Sequence, residues 1–316
     1  MRILFAGTPD TAIASLHRLI ADGHEVAAVL TRAPARAGRR HTLVPSAIHE
    51  AAEELGLPVL TPATLRDEDI QGQIKELAPD AVAVVAYGLL VPPALLDVPT
   101  HGWINLHFSV LPAWRGAAPV QYAIWKGDDV TGASTFRLEK GLDTGPVFDV
   151  MTDPIEPTDT SGDLLERLAV SGADLLSRTF AALEDGSAVA HPQQGEPTLA
   201  PTITTREAQV DWNAPAVAVD RQIRAHTPAP GAWTMLAGNR VKLGPVTLAP
   251  DQAPLTPGEV KNGYVGTGTH PVRLGWVAPA GKKAMDARDW LRGARLPEGT
   301  CFDLPQGSEL DTRGDN

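Results

Sequence analysis

Asn105 and His107 are two polar residues at the end of an apolar stretch, INLHFSVLP (104–112). Residues at positions i and i+2 of a strand point to the same side of the sheet. An amide can donate a hydrogen bond to a developing oxyanion. An imidazole, whose ordinary pKa is about 6.5, can accept or release a proton near neutrality. The pair is therefore suited to act together on one reacting atom.

A third candidate is Asp143, which lies in a predicted turn flanked by glycines, GLDTG (141–145). Its carboxylate could orient the imidazole or balance its charge. A lone histidine is more often a satisfied core residue, and Asn105 alone could be a strand cap. Three such residues predicted at one sheet edge favour a catalytic site. Aspartic proteases also use the triplet DTG, but they need two aspartates sharing a proton, and this chain has only one such triplet.

The elements that would position these residues alternate between strands and helices over the first 110 residues. Near-continuous apolar strands separated by helices predict an α/β fold with a Rossmann-like, doubly wound and mostly parallel sheet. In such a sheet, ligands bind beyond the carboxyl ends of the strands. The predicted strands are 2–7, 25–31, 57–60, 80–88 and 102–108, and the predicted helices lie near 13–20, 45–56 and 66–77.

The chain changes character after residue 128. A β-hairpin with EKGLDTGP (139–146) at its turn is followed by an amphipathic helix at 161–185, and then by short strand-like runs punctuated by Gly and Pro. We therefore expect a catalytic domain, a linker, a smaller OB-like β-barrel domain and a disordered tail. Their predicted bounds are 1–186, 187–205, 206–302 and 303–316.

Several classes of protein are disfavoured. The chain has no G-x-G-x-x-G or Walker A sequence, which removes the usual anchor for a nicotinamide or ATP site. A single cysteine and scattered histidines without metal-ligand spacing argue against disulfides and zinc, so we expect no metal. No apolar run of about 18 residues occurs, so we expect a cytoplasmic protein with no membrane partner.

Charge is unevenly distributed along the chain. The formal net charge is −11, but residues 206–302 hold 12 Lys and Arg against 8 Asp and Glu, a net +4. A mildly basic second half behind an acidic first half is compatible with a polyanionic partner.

Taken in order, the motifs resemble those of the formyltransferases that use 10-formyltetrahydrofolate. They are FAGTPDTA, VVAYG (84–88), INLHFSVLP, WRGAAPVQ (114–121), LDTG (142–145) and PAGKKAM (279–285). The resemblance covers about residues 1–295 and is strongest to members that act on methionyl-initiator tRNA. It implies 10-formyltetrahydrofolate as formyl donor, charged initiator tRNA as acceptor, and Asn105, His107 and Asp143 as catalytic residues. We expect a monomer.

The resemblance also implies binding residues. Those lining the folate site would be Ser109, Val110, Leu111, Pro112, Tyr87, Gly88 and Leu89. Those contacting tRNA would be Arg39 and Arg40, in a long basic loop (31–45), and Lys282 and Lys283, in the second domain.

The sequence departs from the family pattern at a few positions. Phe108 stands where Gly or Pro is common, and should point to the opposite sheet face from His107. His226-Thr227 replaces the usual aromatic-Asn pair. Two other functions stay open: formyl transfer to a small amine such as an amino sugar or purine-pathway ribonucleotide, and a non-catalytic RNA-binding role.

Overall fold

A computed structural model of the chain describes residues 1–37 and 42–305. Its contacts divide the chain into two compact units. One comprises Met1–Val120, Asp129–Ile155 and Asp163–Pro201. The other comprises Gln121–Asp128, Glu156–Gly162 and the chain from Thr202 onward.

The first half of the chain alternates strands and helices, as the sequence predicts. A short 3₁₀ turn, Asp10–Ala12, precedes the first helix. In chain order the elements are β1 (Arg2–Gly7), α1 (Ile13–Ala21), β2 (Glu25–Leu30), β3 (Ala35–Ala37), β4 (Thr42–Val44), α2 (Ala47–Glu54), β5 (Val59–Leu60), α3 (Glu68–Glu76), β6 (Ala81–Val85), α4 (Pro93–Leu96), β7 (Trp103–His107), α5 (Pro119–Lys126), β8 (Val130–Arg137), β9 (Val147–Pro154) and α6 (Ser161–Asp185).

One seven-stranded sheet, in the order β5-β2-β1-β6-β7-β8-β9, organises the first unit. The pairs from β5 to β7 are parallel, and β8 and β9 are added antiparallel. All five residues of β6, AVAVV, are buried, as expected of a strand covered on both faces. The predicted mostly parallel, doubly wound sheet is confirmed.

The strand order reverses between β1 and β6, because β2 and β5 lie to one side of β1 and β6 and β7 to the other. At this point Gly7 is in register with Val85. The crevice outside the carboxyl ends of strands at such a reversal is where open α/β sheets bind ligands. The loops after β1, β6 and β7 all lie at this edge of the sheet.

The second unit is rich in short antiparallel strands. From Thr202 onward its elements are α7 (Ala216–Ala225), β10 (Trp233–Leu236), β11 (Asn239–Leu243), β12 (Thr247–Leu248), β13 (Val260–Lys261), β14 (Tyr264–Val265), β15 (Val272–Arg273), β16 (Trp276–Pro279), β17 (Met285–Asp286) and α8 (Ala287–Ala294). They form two four-stranded sheets, β10-β11-β16-β17 and β12-β15-β14-β13. The predicted change to an antiparallel, β-rich second half is therefore confirmed.

Aromatic stacking occupies the core of this second unit. Phe302 stacks on Trp212 with ring centroids 5.5 Å apart, and on Trp290 at 6.3 Å. Trp212 is fully buried, and its indole N–H donates to Thr234 Oγ1 at 3.0 Å, which satisfies the one polar atom of the ring. The packing of Phe302 extends this core almost to the end of the described chain.

Residues at the C-terminal boundary also make contacts. Asp303 donates its backbone N–H to Met235 O at 2.9 Å. The remainder of the tail predicted to be disordered, from residue 306, lies outside the described residues. No helix in the described part of the chain is long and apolar enough to cross a membrane.

Candidate active site

Strand β7 carries Asn105 and His107 to the carboxyl edge of the sheet. Asn105 is in register with Val84 of β6 and Phe136 of β8, and His107 with Ser134 of β8. The residues between and after them face the other way. A Cβ built on Gly172 of α6 would lie 3.1 Å from the Leu106 side chain and 3.5 Å from that of Phe108.

Phe108 therefore packs towards α6, on the opposite sheet face from His107, and this prediction is confirmed. It is 7% exposed, so the large ring fills core space beside Leu106 rather than the site. The departure from the family pattern at this position changes packing under the strand and leaves the polar face intact.

The amide of Asn105 is available to a ligand. The residue is half-buried at the strand end. Within residues 1–37 and 42–305, no hydrogen-bond partner is found for its side chain. A half-buried amide without a protein partner, at the ligand-binding edge of an α/β sheet, is suited to receive one from a bound molecule.

His107 is buried, with 6% exposure, and contacts two groups. Its Nε2 lies 2.9 Å from the backbone oxygen of Trp114. Because a carbonyl oxygen can only accept, Nε2 carries the proton in this arrangement. Nδ1 lies 3.8 Å from Asp143 Oδ2, too far for a hydrogen bond but close enough for the carboxylate to attract the ring once it is protonated.

The sequence allowed Asp143 either to orient His107 or to balance its charge. In the structure, two different groups are placed for these two roles. The Trp114 carbonyl orients the ring, and the Asp143 carboxylate faces the nitrogen that has no proton in neutral imidazole. Burial lowers the pKa of His107 below its ordinary value, against the opposing effects of Asp143 and the Trp114 carbonyl. The ring is therefore neutral at pH 7 and able to take up a proton.

Asp143 is held from its side chain and from its backbone. Its Oδ2 accepts a hydrogen bond from the backbone N–H of Gly116 at 2.7 Å, and its φ of +50° places it in the left-handed region. Two residues later the chain passes close to β8: a Cβ on Gly145 would lie 1.8 Å from Arg137 O. Only glycine fits there, which explains one of the two glycines that flank the aspartate.

Ser109, by contrast, has its side chain engaged in the turn. It is fully buried, and its hydroxyl donates to Ala113 O at 2.5 Å. Ser134 Oγ donates to Ser109 O at 2.7 Å and accepts from Leu111 N at 3.1 Å. A cis peptide bond joins Leu111 to Pro112. Among the predicted folate-site residues in this turn, Val110 and Pro112 are half-buried and Leu111 is buried.

The other predicted folate segment follows β6. Tyr87 O accepts a hydrogen bond from Thr8 Oγ1 at 2.8 Å, which ties the loops after β6 and β1 together. The Tyr87 ring is buried in the core, and Leu89 packs against the same core cluster. Gly88 is exposed, so this segment presents backbone rather than the tyrosine ring at the sheet edge.

The predicted tRNA contacts fall in two places. Arg39 and Arg40 lie outside the described residues. Lys282 and Lys283 are both exposed in the turn between β16 and β17, where the Lys282 N–H donates to Pro279 O at 2.9 Å. Among the residues described, no group of three or more His, Cys, Asp or Glu side chains could hold a metal ion.

Sequence reasoning missed three groups that build the site: the Trp114 carbonyl, the Gly116 N–H and the side chain of Gln193. The first two lie in the motif WRGAAPVQ, but backbone groups carry no residue-type signal. Gln193 lies in the segment predicted to be a linker. Its amide bonds the backbone on either side of Thr144, at Asp143 O (2.8 Å) and Gly145 O (2.9 Å).

Comparison with known proteins gives matches along the length of the chain. Residues 1–180 match the family model described as Formyl transferase, and residues 202–295 match Formyl transferase, C-terminal domain. The methionyl-tRNA formyltransferase of Streptomyces coelicolor is 56% identical over 305 residues, which cover 95% of this chain and 98% of that protein.

Solved structures share the fold at low sequence identity. HypX from Aquifex aeolicus, in complex with tetrahydrofolic acid, superposes with a TM-score of 0.65 at 18% identity over 92% of this chain, which spans about half (47%) of that longer protein. Methionyl-tRNA formyltransferase from Clostridium thermocellum gives a TM-score of 0.57 at 15% identity, over 80% of this chain and 95% of that one.

Proposed function

This chain belongs to the formyl transferase family, and we propose that Asn105, His107 and Asp143 carry out its chemistry. The enzyme transfers a formyl group from 10-formyltetrahydrofolate to the α-amino group of methionyl-initiator tRNA. The product is N-formylmethionyl-tRNA, which is used to initiate translation. The observation that carries the site assignment is the convergence at one sheet edge of a neutral imidazole, a carboxylate and an amide that has no partner among the described residues.

The reaction exchanges one C–N bond for another. The α-amino nitrogen attacks the formyl carbon, the carbonyl electrons move to oxygen, and the tetrahedral intermediate collapses with cleavage of the bond to N10. The proton lost by the amine ends on N10. An α-amino group has a pKa of about 8 and esterification lowers it further, so the neutral nucleophile is available near pH 7. Alignment, one oxyanion donor and one proton carrier are then sufficient.

Asn105 supplies the oxyanion donor in this proposal. Its amide has no described protein partner, so it loses no existing hydrogen bond when it donates to the developing negative charge. A preorganised donor of this kind stabilises the transition state more than the ground state, because the charge on oxygen grows as the bond forms.

His107 supplies the proton carrier. With Nε2–H directed to the Trp114 carbonyl, Nδ1 is the nitrogen that accepts a proton. The imidazolium formed is then stabilised by Asp143, whose Oδ2 lies 3.8 Å from Nδ1. His107 subsequently returns the proton to the leaving N10. No metal is assigned a role.

The binding surfaces follow from the same edge of the sheet. We assign the folate to the crevice bordered by Tyr87–Leu89 and by the turn from Ser109 to Pro112, with the buried Ser109 and Tyr87 side chains supporting the walls rather than contacting ligand. We assign tRNA contacts to Arg39, Arg40, Lys282 and Lys283. The reaction is placed in the cytoplasm with the enzyme acting as a monomer.

The decisive experiment offers labelled 10-formyltetrahydrofolate with methionyl-initiator tRNA and, in separate reactions, with an amino sugar nucleotide and a purine-pathway ribonucleotide amine. Transfer to the tRNA alone is expected. Transfer only to a small amine would overturn the acceptor assignment. Binding of tRNA without binding of the folate, measured by fluorescence titration, would contradict a catalytic function altogether.

A further inference from the structure

Gln193 joins two chain segments that meet at the catalytic carboxylate. Its Nε2 donates one hydrogen to Asp143 O at 2.8 Å and the other to Gly145 O at 2.9 Å. Its Oε1 accepts from Arg115 Nη2 at 2.6 Å and from Arg115 Nε at 3.1 Å. Both amide hydrogens and both oxygen lone pairs are therefore used, so the amide has one favoured orientation.

The two segments are those whose separation sets the position of Asp143. On one side, Gln193 holds the backbone of Asp143 itself. On the other, it holds Arg115, and the next residue, Gly116, donates its N–H to Asp143 Oδ2 at 2.7 Å. The same side chain thus anchors both the donor and the acceptor segments of the hydrogen bond that directs the carboxylate towards His107.

The surrounding chain keeps Gln193 in place. Residues 191–200, which we call the strap, pair at one end with β9, through reciprocal 2.8 Å hydrogen bonds between His191 and Val147. At the other end, Arg115 N donates to Thr198 O at 2.9 Å, and Ala200 N donates to Arg115 O at 2.7 Å. Trp114 N also donates to Thr198 Oγ1 at 2.8 Å, next to the carbonyl that orients His107.

We propose that Gln193 is a positioning residue for catalysis: it fixes the loop of Asp143 against the segment 114–116, so that the carboxylate faces Nδ1 of His107. The inference rests on the proposed roles of His107 and Asp143. It assigns a task in the reaction to a residue of the segment predicted to be a linker. Gln193 acts through Asp143 and has no contact with the reacting atoms.

Two substitutions test the contact. Gln193→Ala removes all four hydrogen bonds. Gln193→Glu keeps nearly the same volume and a partner for Arg115, but cannot donate to the two backbone carbonyls. Both variants are expected to lower kcat for tRNA formylation by about 10- to 100-fold, the loss typical of a small misplacement of a reacting group, with KM for both substrates within about twofold.

The pH profile separates positioning from a general structural role. The carboxylate raises the pKa of His107, so a displaced Asp143 should move the acid limb of kcat/KM to lower pH. Gln194→Ala is the matched control: Gln194 is the exposed neighbour of Gln193 and should leave kcat and the pH profile unchanged. Circular dichroism and thermal unfolding establish that each variant is folded. If Gln193→Ala is not folded, Gln193→Glu is used to test the proposal.

An Asp143→Asn variant separates the proposed role of Asp143 from the positioning role of Gln193. If it retains full activity, the proposed role of Asp143 is wrong, and the inference fails with it. If it loses activity while folded Gln193 variants keep kcat within twofold, the inference alone is wrong. A Gln193 effect confined to KM, or an unchanged acid limb, would likewise overturn it.

Discussion

His107 combines a low basicity with a stabilised protonated form, and both properties come from its neighbours. Burial disfavours the imidazolium, so the ring is neutral before the reaction. Asp143 favours the imidazolium, so it would reduce the cost of taking up a proton in the reaction that we propose. A proton carrier needs both properties, because it must accept a proton at one step and release it at the next.

Asn105→Ala tests the oxyanion donor. Loss of one preorganised donor typically costs about 10²- to 10³-fold in rate, so kcat should fall by that factor with little change in folate affinity. Steady-state kinetics with saturating tRNA, together with a folate binding titration, measure both quantities. Near-wild-type turnover in a folded Asn105→Ala protein would rule out this role. Asn105→Asp serves as a second variant, because it keeps the shape but cannot donate in its ionised form.

Asp143→Asn tests the charge balance. The carboxylate raises the pKa of His107 against the effect of burial, so its neutralisation should lower that pKa further. The acid limb of kcat/KM should then move to lower pH, while the plateau rate falls because the imidazolium is no longer stabilised. Rate profiles between about pH 5 and 8 measure both effects. A limb that moves to higher pH would show that Asp143 does not act on His107 through its charge.

The loop between β8 and β9 requires a glycine at position 145. A Cβ on Gly145 would lie 1.8 Å from Arg137 O, which is backbone and cannot move aside. Gly145→Ala should therefore displace the Asp143 loop and lower kcat at least about tenfold. Gly72→Ala in α3 is the matched control, since no atom lies within 4 Å of its Cβ position. It should keep full activity and gain up to about 1 kcal/mol of stability. An active Gly145→Ala enzyme would contradict this packing argument.

In the second unit, we expect His226 to make the stability of the protein depend on pH. It is fully buried, its ring packs edge-on against Trp125 at 4.7 Å, and neither ring nitrogen has a hydrogen-bond partner among the described residues. Burial lowers its pKa to about 4, although Glu207 opposes the shift. The unfolded chain binds a proton at this histidine below about pH 6.5, whereas the folded chain binds it only below about pH 4. The histidine therefore costs no stability above about pH 6.5, and the free energy of unfolding falls as the pH is lowered from about 6.5 to about 4.

His226→Phe should remove this dependence, because phenylalanine keeps an aromatic ring against Trp125 and does not titrate. The difference in unfolding free energy between the two proteins should grow on acidification by on the order of 2 to 3 kcal/mol. Urea unfolding at pH 7, 6, 5 and 4.5 measures it. His191→Phe, at an exposed histidine, is the control and should not change the slope. If the free energies of unfolding of wild type and His226→Phe change in parallel with pH, a group other than His226 causes the pH dependence.

Strands and helices could be predicted from the sequence where neighbouring residues in the chain determine them. The apolar run of β6, the strand ending at His107 and the helix at 161–185 follow from hydrophobic periodicity, and the structure confirms them. Gln193 could not be found in this way, because its function depends on backbone atoms about 50 residues away. The same holds for the Trp114 carbonyl: a backbone oxygen becomes a site group only through the turn that directs it.

The two substrates make different demands on the chain. The folate and the formyl group require a few groups at fixed distances, and in our proposal the sheet edge of the first unit supplies them. The tRNA is a large polyanion, and distributed positive charge contributes to its binding. Residues 206–302 carry a net +4 in a chain of net −11, so the charge that suits the acceptor is concentrated away from the catalytic residues in the sequence.

Substitution of Lys282 and Lys283 tests whether positive charge in residues 206–302 binds the tRNA. Both are exposed in one turn, and replacing both with alanine should weaken tRNA binding and reduce the slope of log K against log salt by about 1 to 2, one counterion contact for each lysine that touches a phosphate. Catalysis at saturating tRNA should be unchanged, because neither residue belongs to the catalytic edge.

Arg66→Ala with Lys75→Ala removes two exposed positive charges from the first unit and is the matched control. Both double variants lose two positive charges, whereas loss of a phosphate contact changes the slope only for the lysine pair. Equal slopes for the two variants would therefore show that Lys282 and Lys283 do not contact phosphates.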